Sequence, residues 1–463
     1  MAEIRKAAVM GASPQVVLAI PPQVTTLIEA LEVGGFEAWV VGGCVRDQLL
    51  GREPKDWDIT TSAKPGQAKR LLGPTGARLI DTGIAHGTLT VILDGLPIEL
   101  TTYRVEARYL DGRHPSKVDF VTSLTEDLGR RDFTMNAIAW HPQRGLADPY
   151  GGQTDIAARL IRTVGDANQR LSEDALRILR ALRFASELSF ALADDLAGAL
   201  HARCQLLARV APERLMPELL RLLCGDEVLE VLLAYPDVLA VMIPEITATI
   251  GFEQHTPYHA WDVWEHTARA VAASEPDPLV RLSLLMHDLG KPATFFTGED
   301  GRGHFYGHNM VGEKLARARL SALRADNETI DAVAEMVRWH QENIKPENLL
   351  RWLNRLGEEH LRKLLAVKQG DMAAHAGDLV NERLERIATT RQALEDLLAS
   401  APAYRRVDLA VDGYDLMELG FEPGKRLGRA LDALLDAVIG DSVPNDREAL
   451  LIAARSLLAD ETL

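Results

Sequence analysis

Cysteine is scarce in this chain. Only Cys44, Cys204 and Cys224 occur in 463 residues, and no two of them stand in a CxxC spacing. That excludes a disulfide-stapled scaffold and a zinc ribbon, and it suits a reducing compartment. An excess of positive charge is also missing. With a formal net charge of −16 the chain is no bulk polycation, although a local basic patch can still hold nucleic acid. No uninterrupted apolar run is long enough to span a bilayer, and Met1 to Pro14 lacks the apolar core of a secretory signal. There is no short internal repeat and no low-complexity tract. These absences point to a cytoplasmic protein with no membrane contact.

What is present is ample core material. Hydrophobic residues make up 47% of the chain, and its length suits about three domains of ordinary size. Up to about Leu160 short β-rich runs alternate with helices and turns, as in Ala38–Val41, Asp58–Thr61, Leu89–Leu93 and Pro97–Thr102. From Ser172 onward the pattern is helical, which predicts an α/β head on a long helical body. Pro212, Pro217, Pro236, Pro244 and Pro257 are expected to mark joints between helices. A separate helical tail is expected from Asp412 to Asn445, with turns at Gly413 and at Glu422-Pro423-Gly424.

The most informative stretch is Val40-Val41-Gly42-Gly43-Cys44-Val45-Arg46-Asp47, followed by Asp56-Trp57-Asp58-Ile59-Thr60. It reads as a strand, a glycine turn, a helix start and a second strand. Alternation along a strand points Asp56 and Asp58 the same way. Two acids beside a turn of exposed N–H groups suit a nucleoside triphosphate: the acids hold Mg²⁺ and the turn holds phosphate. Asp-x-Asp alone would equally describe solvated acids on a surface strand. Glu99, flanked by Ile98 and Leu100, faces opposite to both. It becomes a third metal-site carboxylate if its strand lies beside Asp56–Thr60, and an exposed edge residue otherwise. Arg130-Arg131-Asp132-Phe133-Thr134-Met135-Asn136 offers cations for phosphate, with Asp132 and Asn136 for ribose hydroxyls. Ordinary ion pairs at a helix start would look the same. The polar segment Arg108–Pro115 is expected to be a mobile loop over this site or a simple connection.

A helix is predicted to start at Ser172 as N-cap, with Asp174 and Arg177 three apart on one face and Arg180 continuing the stripe. Cytosine and adenine both present an amino donor next to a ring-nitrogen acceptor, which a carboxylate and a guanidinium together complement. Uracil and guanine reverse that pattern, so one Asp–Arg pair could select C and A without a template. Acids in a first helical turn and i,i+3 ion pairs are also common without any such role.

Together these residues resemble a known family. Gly42-Gly43-x-Val45-Arg46-Asp47-x-Leu49-Leu50-Gly51 with Asp56-x-Asp58 is similar to the first motif of class II tRNA nucleotidyltransferases and bacterial poly(A) polymerases. Arg130-Arg131-Asp132-Phe133-Thr134-x-Asn136-Ala137 resembles their ribose-selecting motif, Asp148-Pro149-Tyr150-Gly151-Gly152 their hinge, and Glu173-Asp174-x-x-Arg177 their base-recognition motif. Four motifs in order across the first 185 residues or so are specific together. The resemblance implies an α+β chain with a polymerase-β-like nucleotidyltransferase head, a mixed sheet with helices, at 1–160. An all-α neck at 161–240, an HD-type body at 241–400 and a helical tail at 401–463 would follow. It also implies the partners, which are tRNA at its acceptor end and elbow, with CTP and ATP as substrates. Family members add CCA, CC or A, or make poly(A). Arg113-His114-Pro115 belongs to a loop that CC-adding members tend to shorten. The tail from Gly413 to Asn445 is similar to that of CCA-adding members and is not strongly basic, as poly(A) polymerase tails tend to be.

A second constellation comprises His266, His287-Asp288, His308, His340 and Asp371, ligand types that suit a divalent metal in a helical setting. Met286-His287-Asp288-Leu289-Gly290-Lys291-Pro292 resembles the doublet of HD-domain phosphohydrolases. His266 and Asp371 fit the first and last ligands, and His308 and His340 sit where further metal or phosphate ligands occur in some HD enzymes. The resemblance implies hydrolysis of phosphate esters, including 2′,3′-cyclic phosphates, by an ion whose identity the sequence does not assign. His255, His259 and His304 are left to surface or structural roles.

The expected function is therefore template-independent CCA addition to tRNA. Asp56, Asp58 and Glu99 hold Mg²⁺, while Gly42, Gly43, Arg46, Arg131 and Arg180 take the triphosphate. Asp132 and Asn136 take the ribose, and Asp174 and Arg177 choose the base. Two competing classes are an HD hydrolase whose head only binds RNA, and a non-catalytic RNA-binding protein. No oligomeric state is assigned.

Overall fold

The apolar segment Ala38-Trp39-Val40-Val41 is buried along its whole length and forms β1, an interior strand of a mixed sheet. Around it lie β2 (Trp57–Thr61), β3 (Arg78–Gly83), β4 (Thr88–Leu93), β5 (Leu96–Thr102), β6 (Ala139–His141) and β7 (Gly145–Ala147). Their spatial order is β3-β4-β5-β2-β1-β6-β7. Only β2 and β5 run parallel; the other neighbours are antiparallel. The four β-rich runs expected from sequence are all strands. β3 carries no alternating apolar face and is half exposed at the sheet edge, and β6 and β7 are three residues each, so none of these three left a period to read. The computed structural model describes residues 18–106, 118–256 and 258–459. The loop expected at Arg108–Pro115, the stretch to Pro14, and Pro257 lie outside the described residues.

Alternation along β4 and β5 buries Leu89, Val91, Leu93, Ile98 and Leu100 and leaves Glu99 on the opposite face. The short helix Leu124–Gly129 is tied to this sheet by one carboxylate. Asp127, fully buried, accepts hydrogen bonds from Thr60 Oγ1 (2.9 Å), Arg130 Nε (2.9 Å) and the Arg104 backbone N–H (3.3 Å).

Beyond the sheet the chain is mostly helical, as expected. The chain divides into two compact units, Met1–Pro244 and Glu245–Leu463. Pro212 and Pro236 each open a helix, and Pro244 opens a 3₁₀ turn. Pro217 is not a joint; it sits inside the helix Pro212–Leu223. One lost hydrogen bond near the helix start is offset there by the buried face of Leu215, Met216, Leu219, Leu222 and Leu223. Gly413 likewise begins a helix, Gly413–Glu418, instead of making a turn. Asp412 caps it by accepting the N–H groups of Tyr414 (2.7 Å) and Asp415 (3.1 Å). The tail closes over its own small core of Leu409, Val411, Leu416, Phe421, Leu434 and Leu450. Among the described residues no helix is long and apolar enough to cross a membrane.

Burial alone would raise the Asp127 pKa, but the guanidiniums of Arg130 and Arg131 and the Thr60 hydroxyl overcome that and hold it low. A depressed carboxylate contributes stability that is complete above its unfolded value, near pH 4, and is lost as pH falls through the folded value. Asp127→Asn should therefore cost roughly 3 kcal/mol at neutral pH and flatten the acid limb of the stability curve, read by urea denaturation as a function of pH.

Candidate active site

Both glycines of the first motif stand where the chain leaves β1. Gly42 has φ +84°, a conformation that favours glycine. A Cβ there would lie 3.0 Å from Arg131 Nη1 and 3.6 Å from Asp58 Oδ2, so the missing side chain opens a cradle between an arginine and an acid. Gly43 begins the helix Gly43–Leu49, whose first N–H groups have no intrahelical partner. Cys44 follows, but burial pushes its thiol up to about 12, which keeps it out of nucleophilic chemistry.

Asp58 lies on β2. Asp56 precedes the strand, so alternation does not place it, yet both acids line the same cavity of about 750 Å³. The parallel pairing of β2 with β5 sets Asp58 in register with Glu99, which meets the condition set for Glu99. Burial, and then the charges of Glu99 and Asp56, push Asp58 up to about 6 against the opposing pull of Arg131. Asp58 with the two carboxylates whose charges raise it, beside an open cradle, is a donor set that fits a hard divalent cation.

The same cavity is walled by Gly42, Gly43, Arg46, Arg131, Asp132, Asn136 and Arg180. Asp132 is buried and accepts from the Phe133 N–H (2.8 Å), Asn136 Nδ2 (3.0 Å), and Arg180 Nε (2.9 Å) and Nη2 (2.7 Å). Burial opposes its charge, but Arg180 and Asn136 outweigh it and hold the carboxyl far below the usual range. Asn136 Oδ1 in turn accepts from Arg46 Nη1 at 2.7 Å.

The base-recognition segment differs from expectation. The helix that contains Ser172 runs Ala167–Glu173 and is capped by Asp166. Ser172 is thus in a last turn, not an N-cap. Asp174 follows in extended backbone (φ −140°, ψ 105°), and the next helix spans Leu176–Leu188. Asp174 and Arg177 therefore do not share a helix face. Asp174 accepts from the Leu176 N–H (3.1 Å) and pairs with Arg214 (2.8 Å). Arg177 pairs with Glu173 (2.9 Å) and donates to the carbonyls of Arg170 and Arg130. Neither lines the 750 Å³ cavity, and neither does Glu99.

Arg183, Phe184 and Glu218 were not read from sequence as site residues. The guanidiniums of Arg46, Arg180 and Arg183 gather over the Phe184 ring at 4.9, 5.5 and 3.8 Å, and Glu218 pairs with both Arg180 and Arg183. The three-residue spacing from Arg177 through Arg180 to Arg183 was a usable signal. Glu218 and Arg214 lie on the separate helix Pro212–Leu223 and left none.

The second unit holds the other constellation. His266 lies in the helix Val263–Ala273 and Asp371 in Leu349–Ala373. His287 and Asp288 follow the helix Pro278–Met286, His308 opens His308–Ala322, and His340 follows Asn327–Trp339. All six are brought together. His266 Nε2 lies 3.1 Å from Asp371 and 3.6 Å from Asp288, His287 Nε2 lies 3.1 Å from Asp288, and His308 Nε2 lies 3.3 Å from both Asp288 and His340 Nε2. Each Nδ1 donates to a backbone carbonyl: His266 to Ala374, His287 to Leu284, His308 to Phe305 and His340 to Val337. Every Nε2 is therefore turned inward.

Burial would strip His287 of charge, but Asp288 and Asp371 reverse that and push it up to about 10. Burial and neighbouring rings lower His340 to about 3. Asp288 Oδ2 lies 2.7 Å from Lys291 Nζ and 3.1 Å from His287 Nε2. Imidazole Nε2 atoms converging on two carboxylates are a donor set that fits a divalent ion, which would take the place of the His287 proton. Two further rings join them: His259 lies 5.0 Å from His266 and 4.5 Å from His375, centre to centre. His304 lines the cavity of about 480 Å³ beside the cluster.

Residues 38–162 match the poly A polymerase head domain, residues 189–249 the probable RNA and SrmB-binding site of polymerase A, and residues 307–454 the putative tRNA nucleotidyltransferase domain 2. The CCA-adding enzyme of Levilactobacillus brevis is 34% identical over 434 residues, covering 92% of this chain and 96% of its own. That of Geobacillus thermodenitrificans is 34% identical over 435 residues, with 93% and 96% covered. The crystal structure of the Bacillus stearothermophilus CCA-adding enzyme in complex with CTP covers 94% of this chain and 98% of its own, at 32% identity and a TM-score of 0.67. The Thermotoga maritima CCA-adding enzyme complexed with tRNA shares the fold at 19% identity and a TM-score of 0.57. With relatives this similar along nearly its whole length, the chain belongs to the CCA-adding enzyme family.

Proposed function

We propose that this protein adds CCA to the 3′ end of tRNA without a template, using CTP and ATP in the cytoplasm. The observation that carries the reading is the single cavity that joins Asp56 and Asp58 to the Gly42 cradle, Arg131 and the Asp132–Arg180 pair. Asp56, Asp58 and Glu99 would hold Mg²⁺, which when bound supplies the charge that orients the attacking hydroxyl and neutralises the departing pyrophosphate. Arg131 and Arg180 bring guanidinium charge to the triphosphate, and the Gly42–Gly43 turn lets phosphate approach the backbone. Asp132 and Asn136 face the ribose. Asp174 and Arg177 meet the base by exchanging their present partners, Arg214 and Glu173, for its amino and ring-nitrogen edge. The tRNA 3′-hydroxyl attacks the α-phosphate and pyrophosphate leaves. A division into head (1–160), neck (161–240), body (241–400) and tail (401–463) accompanies this reading, with the tRNA held at its acceptor end and elbow through backbone shape.

The converging Nε2 atoms of His266, His287, His308 and His340 favour a second reading for the body, a phosphohydrolase centre. His266, His287, Asp288 and Asp371, with His308 and His340, would hold a divalent ion, which when bound supplies a Lewis acid for phosphate-ester hydrolysis. Lys291, 2.7 Å from Asp288, places a cation beside them for the phosphate.

Given a tRNA that lacks its CCA end, labelled CTP and ATP should yield a discrete three-nucleotide extension on a sizing gel. A ladder of A, or a product with C alone, would overturn the assignment. The double variant Asp56→Ala/Asp58→Ala should lower incorporation by at least roughly 10²-fold while binding tRNA as the parent does. Arg177→Ala and Asp174→Ala should each reduce the preference for CTP over UTP by about tenfold, measured as the ratio of kcat/KM values. In the body, His287→Ala should lower the bound divalent metal measured by elemental mass spectrometry and abolish phosphate-ester hydrolysis, with CTP incorporation unchanged.

A further inference from the structure

The cavity beside the histidine cluster has an aromatic mouth that metal binding does not use. The hairpin Phe296–Thr297 and Gly303–His304 stands there, with Phe296 paired across to His304. Alternation along its strands sorts the rings into two sets. Phe295 and Phe305 turn inward: they lie 5.5 Å apart, Phe295 packs edge-on against Phe252, and Phe305 approaches His308 and the Lys291 ammonium. Phe296, His304 and Tyr306 turn outward and form a compact three-ring cluster, in which Phe296 and Tyr306 also meet at 5.5 Å with 47° between planes. Phe296 stacks on His304 at 5.2 Å with 25° between planes, and His304 on Tyr306 at 5.4 Å with 23°.

The inner rings already anchor the hairpin. A cluster that only braced it would be covered, yet Tyr306 is 75% and Phe296 45% exposed. His304 and Tyr306 line the same cavity as Asp288, Lys291, His308 and His340. That cavity, at about 480 Å³, is of a size that takes a small ligand. At its floor the Lys291 ammonium is fixed by Asp288 and by Gln254, each at 2.7 Å. A flat, open π face at the rim and a fixed cation at the floor are complementary to one kind of molecule, a base joined through ribose to a phosphate.

We propose that Phe296, His304 and Tyr306 form a stacking platform for the base of a ribonucleotide whose phosphate enters the histidine-lined cavity. The platform makes the site selective for nucleoside phosphates over base-free phosphate esters. The assignment rests on the phosphohydrolase reading of that cavity. Its chemistry is shared by a free nucleotide and by the terminal nucleotide of an RNA.

Binding is the direct test. The full-length protein, Tyr306→Ala and Tyr306→Trp are each titrated calorimetrically with adenosine 2′,3′-cyclic phosphate and with ribose 5-phosphate. The head is identical in all three, so differences among them report the body. Tyr306→Ala should weaken the adenosine ligand about tenfold and leave ribose 5-phosphate unchanged, and Tyr306→Trp should restore adenosine binding. An equal loss for both ligands, or no loss for the adenosine ligand, overturns the platform. The hydrolase reading fails separately, if the parent protein cleaves no phosphate ester with any divalent ion while Tyr306-dependent binding persists. A short oligoribonucleotide ending in the same cyclic phosphate separates the two sources. Tighter Tyr306-dependent binding than the mononucleotide supports the platform as a seat for an RNA end, and equal binding supports it as a seat for a free nucleotide.

Discussion

The head depends on one ion pair made to a buried carboxylate. Asp132 is buried except where it meets the cavity and gives both carboxylate oxygens to protein donors, Arg180 on one and Asn136 with the Phe133 N–H on the other. Burying that carboxylate is costly, and removing Arg180 would leave its charge uncompensated. The pair therefore fixes the segment after Arg131 against the helix Leu176–Leu188. Asn136 extends the constraint to Arg46, which reaches back to the helix that begins at Gly43. The glycine turn, the paired arginines and the long helix are thus positioned by one network, and the cavity is the space that network leaves open.

Two cation-ready places among the described residues are built by different parts of backbone geometry. In the head it is strand register: the parallel pairing of β2 with β5 sets Glu99 opposite Asp58, and a slip of one residue would turn Glu99 to the buried face. In the body it is helix ends. His287, His308 and His340 each donate Nδ1 to the carbonyl three residues earlier. That local bond sets the ring direction, and helix packing then aims the three Nε2 atoms at Asp288 and its neighbours. Electrostatics records the same difference. In the head, burial and the charges of Glu99 and Asp56 raise Asp58, whereas in the body a proton on His287 balances Asp288 and Asp371. Each arrangement is a surplus of electron pairs that a divalent ion would satisfy.

Local features were legible in the sequence because short-range geometry produces them. Alternation in Thr88–Leu93 and Leu96–Thr102, the positive φ at Gly42, the arginine spacing from Arg177 to Arg183 and the His287-Asp288 doublet are all properties of neighbouring residues. The reading of Ser172 as an N-cap failed where two helices meet within three residues. Asp166 caps the first of them, and Asp174 carries the break. Two start signals so close together cannot be ranked by periodicity.

By itself, then, the sequence determined the strongly periodic elements and the family, since motif spacing and apolar period are encoded along the chain. Only the tertiary structure decided the partners. Asp174 meets Arg214 across 40 positions, and Arg180 meets Asp132 across 48. His259 and His375 join the histidine cluster, and Phe296, His304 and Tyr306 stack at its mouth. None of these contacts follows from local period, because each is set by how separate helices and strands pack, and a side chain's chemistry depends on what that packing brings beside it.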